Sequence, residues 1–252
     1  MIDERVFLQI PIEYEKEVKI YPPTVKQVLS EQYFHFFKRI LMMSQEDIED
    51  DINKKAEKEG IKIDSNFKYP TPFEFLFSSI SKDKKIELLA KDAFKFFIHE
   101  DVTFLMEQKI IVIGDLKEKL ATIKNIEELP ILNEDNYFNF QNLLRISIGE
   151  KQCEIPNPNE HPKVKLMKAK ARERDRVKAK KNGIPFSTIL VSICCMGIGI
   201  TPLNIGEISY ACIPVIMNTY QAKEKYEIDL KSMLAGAKDV QLKYWIRDLD
   251  KD

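Results

Sequence analysis

The chain has 252 residues, 39 basic against 40 acidic, a net charge of -1, and 44% hydrophobic residues. That length holds one large or two smaller domains, and the apolar fraction suffices for a buried core. Balanced charge argues against a dedicated nucleic-acid binder, whose surface would be basic overall, and 8 glycines are few for an all-β chain built on tight turns.

Residues 5 to 20, RVFLQIPIEYEKEVKI, are rich in β-branched and apolar side chains and read as one or two short strands. Tyr21-Pro22-Pro23 stops them, and Thr24 caps a helix running to about Met43, with Val25, Val28, Leu29, Phe36 and Ile40 at helical spacing. Ser44 followed by Asp47 starts a second helix that is acidic early, basic late and ends at Gly60. That order suits the helix dipole, and the scarcity of apolar residues places the helix on the surface. Thr71-Pro72-Phe73-Glu74 combines a capping threonine, a proline in the first turn and a glutamate that completes a capping box. Phe73, Phe75, Leu76 and Phe77 behind it are core candidates. A further helix covers 83 to 98, and residues 102 to 113, VTFLMEQKIIVI, read as a hairpin or strand pair closed by Gly114-Asp115, with another helix after it. Residues 134 to 148 form a helix with Tyr137, Phe140, Leu144 and Ile148 on one face.

Residues 154 to 163, EIPNPNEHPK, are a proline-broken linker. Residues 163 to 181 then hold ten basic and two acidic side chains, a net of +8, in a helix-favouring context. Lys168, Lys170, Arg172, Arg174, Arg176 and Lys178 make a candidate basic patch. It reads either as a contact for RNA, DNA or an acidic protein or as a solvated helical linker. From Asn182 to Gly206 no residue is charged. Such a run is formally long enough to span a bilayer, but Pro185, Gly197, Gly199 and Pro202 interrupt it, so a buried core helix over about Ser187 to Met196 is the better reading. A short helix follows over Asn204 to Tyr210, and Pro214 opens a long one reaching Leu234, ended by Ala235-Gly236-Ala237. Trp245, the single tryptophan, docks back on the core or anchors an interface together with Arg247. The expected architecture is mainly α, α+β overall: an N-terminal α+β domain over 1–152, linker and basic helix over 153–183, and a C-terminal helical bundle over 184–252.

Phosphate-binding glycine loops, zinc-protease helices, nucleophile elbows and calcium loops have no match in the sequence. Cys153, Cys194, Cys195 and Cys212 form no CxxC pair and read as buried free thiols, and His35, His99 and His161 are far apart. Met1-Ile2-Asp3-Glu4 lacks the opening of a secretory leader. The expectation is a chain that is not an enzyme and uses no metal or other cofactor and no small-molecule substrate.

The second half resembles a known layout. NPNEHPKVKLMKAKARERDRVKAKK, then IPFSTILVSICCMGIGITPLNIGEISYACIPVIMNTYQAKEKYEIDL, then SMLAGAKDVQLKYWIRDL give a broken linker, a basic helix, an apolar segment, a threonine-proline restart and a long polar helix. This order, with IYPPTVKQVL near the N-terminus, is similar to tail assembly chaperones of phages that infect Gram-positive bacteria. The resemblance implies a protein of the host cytoplasm that binds the helical tape-measure protein, with tail-tube subunits and self-association as further contacts, keeps it soluble, and leaves before the particle is complete. It also implies a second, frameshifted form, for which the Lys178 to Asn182 junction is a plausible site. An apolar groove with adaptable methionines suits such a client, which nominates Met196, Met217 and Met233 beside Trp245 and Arg247. A retained baseplate or connector subunit and a nucleic-acid-associated protein using 163–181 are the competing readings.

Overall fold

The computed structural model describes residues 3–15, 18–64, 67–114, 129–154, 157, 160–238 and 240–246. The chain is mainly α with small antiparallel sheets. It opens with a one-turn helix, α1 (Glu4–Phe7), capped by Asp3, where the sequence suggested strand. Two-residue strands β1 (Ile12–Glu13) and β2 (Lys19–Ile20) then pair antiparallel and bury Ile12 and Ile20.

The single helix expected from Thr24 to Met43 is two. Thr24 and Gln27 form a capping box for α2 (Val25–Ser30), and the chain then turns extended at Glu31. The Glu31 carboxylate accepts a hydrogen bond from the Tyr33 N–H at 2.9 Å, holding the break open. The rotation brings Phe34, Phe37, Leu41 and Met42 of α3 (Phe34–Met42) inward and leaves Leu29 outside. Helix α4 (Gln45–Lys58) starts on the Ser44–Asp47 capping box and buries Ile48, so it lies on the surface. Its end is a glycine turn: Gly60 takes φ +68 and the Ile61 N–H reaches back to the Ala56 carbonyl.

Helix α5 (Pro72–Lys82) begins on the Thr71–Glu74 capping box and buries Phe73, Leu76, Phe77 and Ile80. Helix α6 (Lys84–Ile98), capped by Asp83, packs on α3 and α5. Strands β3 (Val102–Leu105) and β4 (Ile110–Ile113) make the expected hairpin, with Val102 opposite Ile113, and β5 (Ile131–Leu132) pairs with the other edge of β4. The helix expected after Gly114-Asp115 lies outside the described residues. Helix α7 (Glu134–Ser147) turns Tyr137, Phe140 and Leu144 into the core, and Ile148 follows them. The centre is aromatic: Phe94 stacks on Phe140 at 5.8 Å, and Phe73 meets Tyr137 at 5.2 Å.

The basic segment is helix α8 (Pro162–Asn182). The apolar segment yields α9 (Phe186–Cys195), a 3-10 turn at Ile205–Glu207 where a longer helix was expected, and α10 (Cys212–Leu234). No helix among the described residues is long and apolar enough to cross a membrane. Helix α9 is not the buried core helix the run of uncharged residues suggested. Ile193 is its one fully buried residue, and Val191 and Cys195 face solvent. The second apolar cluster joins Ile193, Ile205 and Ile213 to Val25 of α2, so the N-terminal part supplies one of its walls. The junction is a backbone one as well: the Val25 N–H donates to the Ile208 carbonyl and the Tyr210 N–H to the Pro23 carbonyl, both at 2.9 Å. Gly149, at φ +75, lets the chain pass against Ala211, where an added Cβ would sit 2.9 Å from the alanine Cβ.

Candidate docking surfaces

Two surfaces carry the residues that the sequence nominated. The first is the face of α8. It has no buried side chain among those described, and it is held to the rest of the chain by charge. Lys165 pairs with Glu49 at 2.7 Å, Arg172 with Glu46 at 2.9 Å and Asp50 at 3.5 Å, and Lys54 of α4 reaches Glu173 at 2.8 Å. The acidic first half of α4, read from sequence as a solubilising face, is thus the counter-surface of the basic helix. Lys168 turns back on the linker, pairing with Glu160 at 2.7 Å and Glu154 at 3.8 Å, and these carboxylates raise its pKa.

The six nominated basic residues therefore divide. At about 100° per residue, Lys165, Lys168, Ala169 and Arg172 fall on the side toward α4. Lys163, Met167, Lys170, Arg174 and Lys178 fall on the opposite side, all of them exposed. Among the described residues Lys170, Arg174 and Lys178 have no ion-pair partner, while Lys168 and Arg172 do. The Arg176 side chain lies outside the described residues. The stripe from Lys163 to Lys178 is about 22 Å long at 1.5 Å per residue.

The second surface is apolar. Phe186, Ile189, Leu190, Cys194 and Met196 turn partly into the second cluster, together with Ile216 and Met217 of α10. On the outside, Val191 is 63% exposed, Ile198 45% and Leu203 95%. Beyond Met217, helix α10 buries nothing further among its described residues. Its last seventeen residues project about 26 Å. The three nominated methionines do not meet in one groove. Met196 and Met217 share the second cluster, whereas Met233 stands on the projecting end. Trp245 is half-buried and contacts Tyr244, whose ring meets Tyr226 of α10 edge-on at 5.6 Å, so the tail folds back on α10 at this point. Arg247 lies outside the described residues.

Among the described residues no cluster of three or more His, Cys, Asp or Glu is placed to hold a metal ion. The four cysteines are free, as expected, but Cys212 alone is buried, with Cys153 and Cys194 half-buried and Cys195 exposed, which corrects the expectation of buried thiols. Burial pushes the Cys153 and Cys212 thiols up, away from the nucleophilic thiolate. A surface cleft bounded by Tyr14, Val18, Ile113, Pro130, Asn133 and Asn136 holds one perturbed group. Burial pushes the Tyr14 phenol up to about 12, and it donates to the Asn136 carbonyl at 3.2 Å. Glu15 also lines the cleft and its charge adds to the effect of burial, so the Tyr14 phenol is held neutral and hydrogen-bonded there.

The sequence did not single out the acidic edge of α4 as a docking face, nor Val191, Ile198 and Leu203 as exposed. The first needed the fold of α8 back on α4. The second needed the observation that one side of α9 stays uncovered. No family model matches the chain, and neither the curated proteins nor the solved structures compared with it yield a match.

Proposed function

We propose that the chain is a phage tail assembly chaperone, acting in the cytoplasm of the infected bacterium by holding the helical tape-measure protein until tail-tube subunits enclose it. The observation that carries this reading is the exposure of the apolar residues Val191 on α9 and Ile198 and Leu203 on the loop after it. Single exposed apolar residues are ordinary. Several of them together, one on the open side of α9 and two on the loop after it, offer an apolar surface on which an amphipathic client helix can lay its own apolar face. The layout of residues 150 to 250 supports the same reading, because it resembles that class of protein in order and phrasing.

Mass spectrometry of infected-cell lysate beside purified particles tests it. Abundance in lysate with absence from particles is the expected result. A fixed copy number in particles makes the chain a baseplate or connector subunit instead. Co-expression with the tape-measure protein supplies the surface test: Val191→Asp with Leu203→Asp lowers recovery of soluble client, and unchanged recovery removes this surface from the reading.

A second reading rests on the outward stripe of α8. Lys163, Lys170, Arg174 and Lys178 are exposed and along one line, the pattern that follows a phosphate backbone. It predicts binding to duplex or single-stranded nucleic acid that weakens steeply with salt and is lost in Lys170→Glu/Arg174→Glu/Lys178→Glu. Lys168 and Arg172, already engaged within the chain, contribute less.

A further inference from the structure

We propose that α4 masks one side of a DNA-binding helix: α8 fits the major groove of B-form duplex DNA, and the acidic face of α4 occupies its inner side until the duplex displaces it. The inference rests on the nucleic-acid reading of the outward stripe, and adds to it the kind of nucleic acid and a competitor built into the fold.

The basic residues of α8 form two stripes. At about 100° per residue, Lys165, Lys168 and Arg172 centre on one line, and Lys163, Lys170, Arg174 and Lys178 on another about 160° away. The apolar residues make no stripe: Val164, Leu166, Met167 and Val177 are all exposed and point to different sides. Helix α8 therefore has no hydrophobic reason to lie on α4, and carboxylates hold it there. Their fit is incomplete. Glu46 and Asp50 meet the Arg172 guanidinium at 2.9 and 3.5 Å, yet its buried Nε–H finds no acceptor. A stranded donor destabilises the docked arrangement, and a phosphate group, with several acceptor oxygens, relieves it.

Two opposite basic stripes call for two anionic walls. The major groove of B-form DNA is about 12 Å wide, admits a helix of about 10–12 Å diameter, and sets a phosphate backbone on each side of it. An A-form RNA duplex closes that groove to a helix. A single strand offers one backbone and is gripped by stacking on aromatic rings, of which α8 has none. With α4 in place only the outer stripe is available, and Glu46, Glu49 and Asp50 stand where the second wall would lie. DNA phosphates and these carboxylates are alternative partners for Lys165 and Arg172, so the binding of one weakens the other.

Fluorescence anisotropy of the full chain with a labelled, mixed-sequence DNA duplex at about 0.05 M salt tests the proposal. Glu46→Gln/Glu49→Gln/Asp50→Asn clears the mask. Asp92→Asn/Glu107→Gln/Glu224→Gln is the control, removing three charges from exposed positions on other parts of the chain. The unmasked variant should bind at least about tenfold tighter than the control, a ratio that a few exposed ion pairs together reach. Adding Lys165→Gln/Arg172→Gln should weaken binding at least about tenfold in the unmasked variant and about threefold or less in the wild type. If the unmasked variant binds no tighter than the control while Lys170→Glu/Arg174→Glu/Lys178→Glu abolishes binding, the mask is overturned and the nucleic-acid reading stands. If neither the wild type nor the unmasked variant binds the duplex, both fall. Binding to an RNA duplex or to single-stranded DNA as tight as to the DNA duplex overturns the groove assignment. Far-UV circular dichroism checks the helices. Should the triple substitution reduce them, Glu49→Gln alone, which frees Lys165, should tighten binding about two- to threefold, and no change overturns the proposal.

Discussion

The last carbonyls of α3 show how much of this fold depends on a few polar side chains. Tyr137, Gln141 and Arg145 are spaced four apart on α7 and form one row. The Tyr137 hydroxyl donates to the Leu41 carbonyl at 3.1 Å, and the Gln141 amide donates to Leu41 at 3.1 Å and Met43 at 2.9 Å. Arg145 donates to the Met42 carbonyl at 2.8 Å. A helix end that would otherwise bury unpaired carbonyls is capped from another helix. Gln141→Leu fits the volume but strands the Met43 carbonyl, because Leu41 still accepts from Tyr137, and should cost about 1–2 kcal/mol in urea denaturation. A loss below about 0.5 kcal/mol would mean that water or a neighbour replaces the amide. The Thr71 and Ser44 capping boxes were readable because both partners lie three residues apart. Gln141 was not, since its acceptors lie about a hundred residues away. His99 is a second case. It ends α6 at φ +60 and stacks on Tyr21 at 4.0 Å, and burial holds its pKa below the usual 6.5. The folded state therefore protonates later than the unfolded chain. The stabilisation is complete above the unfolded pKa and is lost as pH falls below it. Urea midpoints should drop between about pH 7.5 and about pH 5.5. His99→Asn, which tolerates the left-handed backbone, should drop less. An equal drop in both would assign the pH dependence to other groups.

At the scale of elements, type was readable where a local pattern sets it and placement was not. The basic run is a helix because alanine, lysine and arginine favour one. That it lies along α4 follows from Glu46, Glu49 and Asp50, more than a hundred residues earlier. The uncharged run was expected to be buried because it has no charges. Yet an element is covered only if neighbours reach it, and one side of α9 is left open. The break at Glu31 was missed because apolar spacing continues across it, whereas the interruption is made by one carboxylate turning onto the Tyr33 N–H. The α4–α8 seam is a chain of partly exposed ion pairs with no buried apolar residue on α8 among those described. Exposed pairs contribute about 0–1 kcal/mol each and are screened by salt. Raising salt from about 0.05 M to about 0.5 M should therefore release α8 while the core stays folded. Amide exchange in residues 163–178 should rise severalfold without change in α6. Protection that is insensitive to salt would show that α8 is held by something other than charge.

For the whole molecule, the decisive contact is between the beginning and the second half of the chain. Val25 closes the second apolar cluster, while Ala211 and Tyr210 belong to the first. Tyr210 touches both: its ring meets Phe34 at 5.4 Å and Phe186 at 5.6 Å. The C-terminal segment therefore should not open independently in the wild type, because exposing its cluster also uncovers Phe34 and Val25. Tyr210→Ala removes the ring that links the clusters but leaves the Pro23 and Ile208 backbone bonds in place. Truncating an aromatic ring in such a position costs about 3 kcal/mol, and that loss should fall on the coupling between the two parts. Hydrogen exchange measures it directly. In the wild type, residues 205–217 and the α6 core should exchange with similar opening free energies. In Tyr210→Ala, protection of 205–217 should fall roughly a hundredfold while α6 keeps most of its own. If both regions lose protection equally, the two clusters form one cooperative unit that Tyr210 stabilises without linking. If neither does, the strand-like contact at Thr24 and Ser209 carries the junction alone.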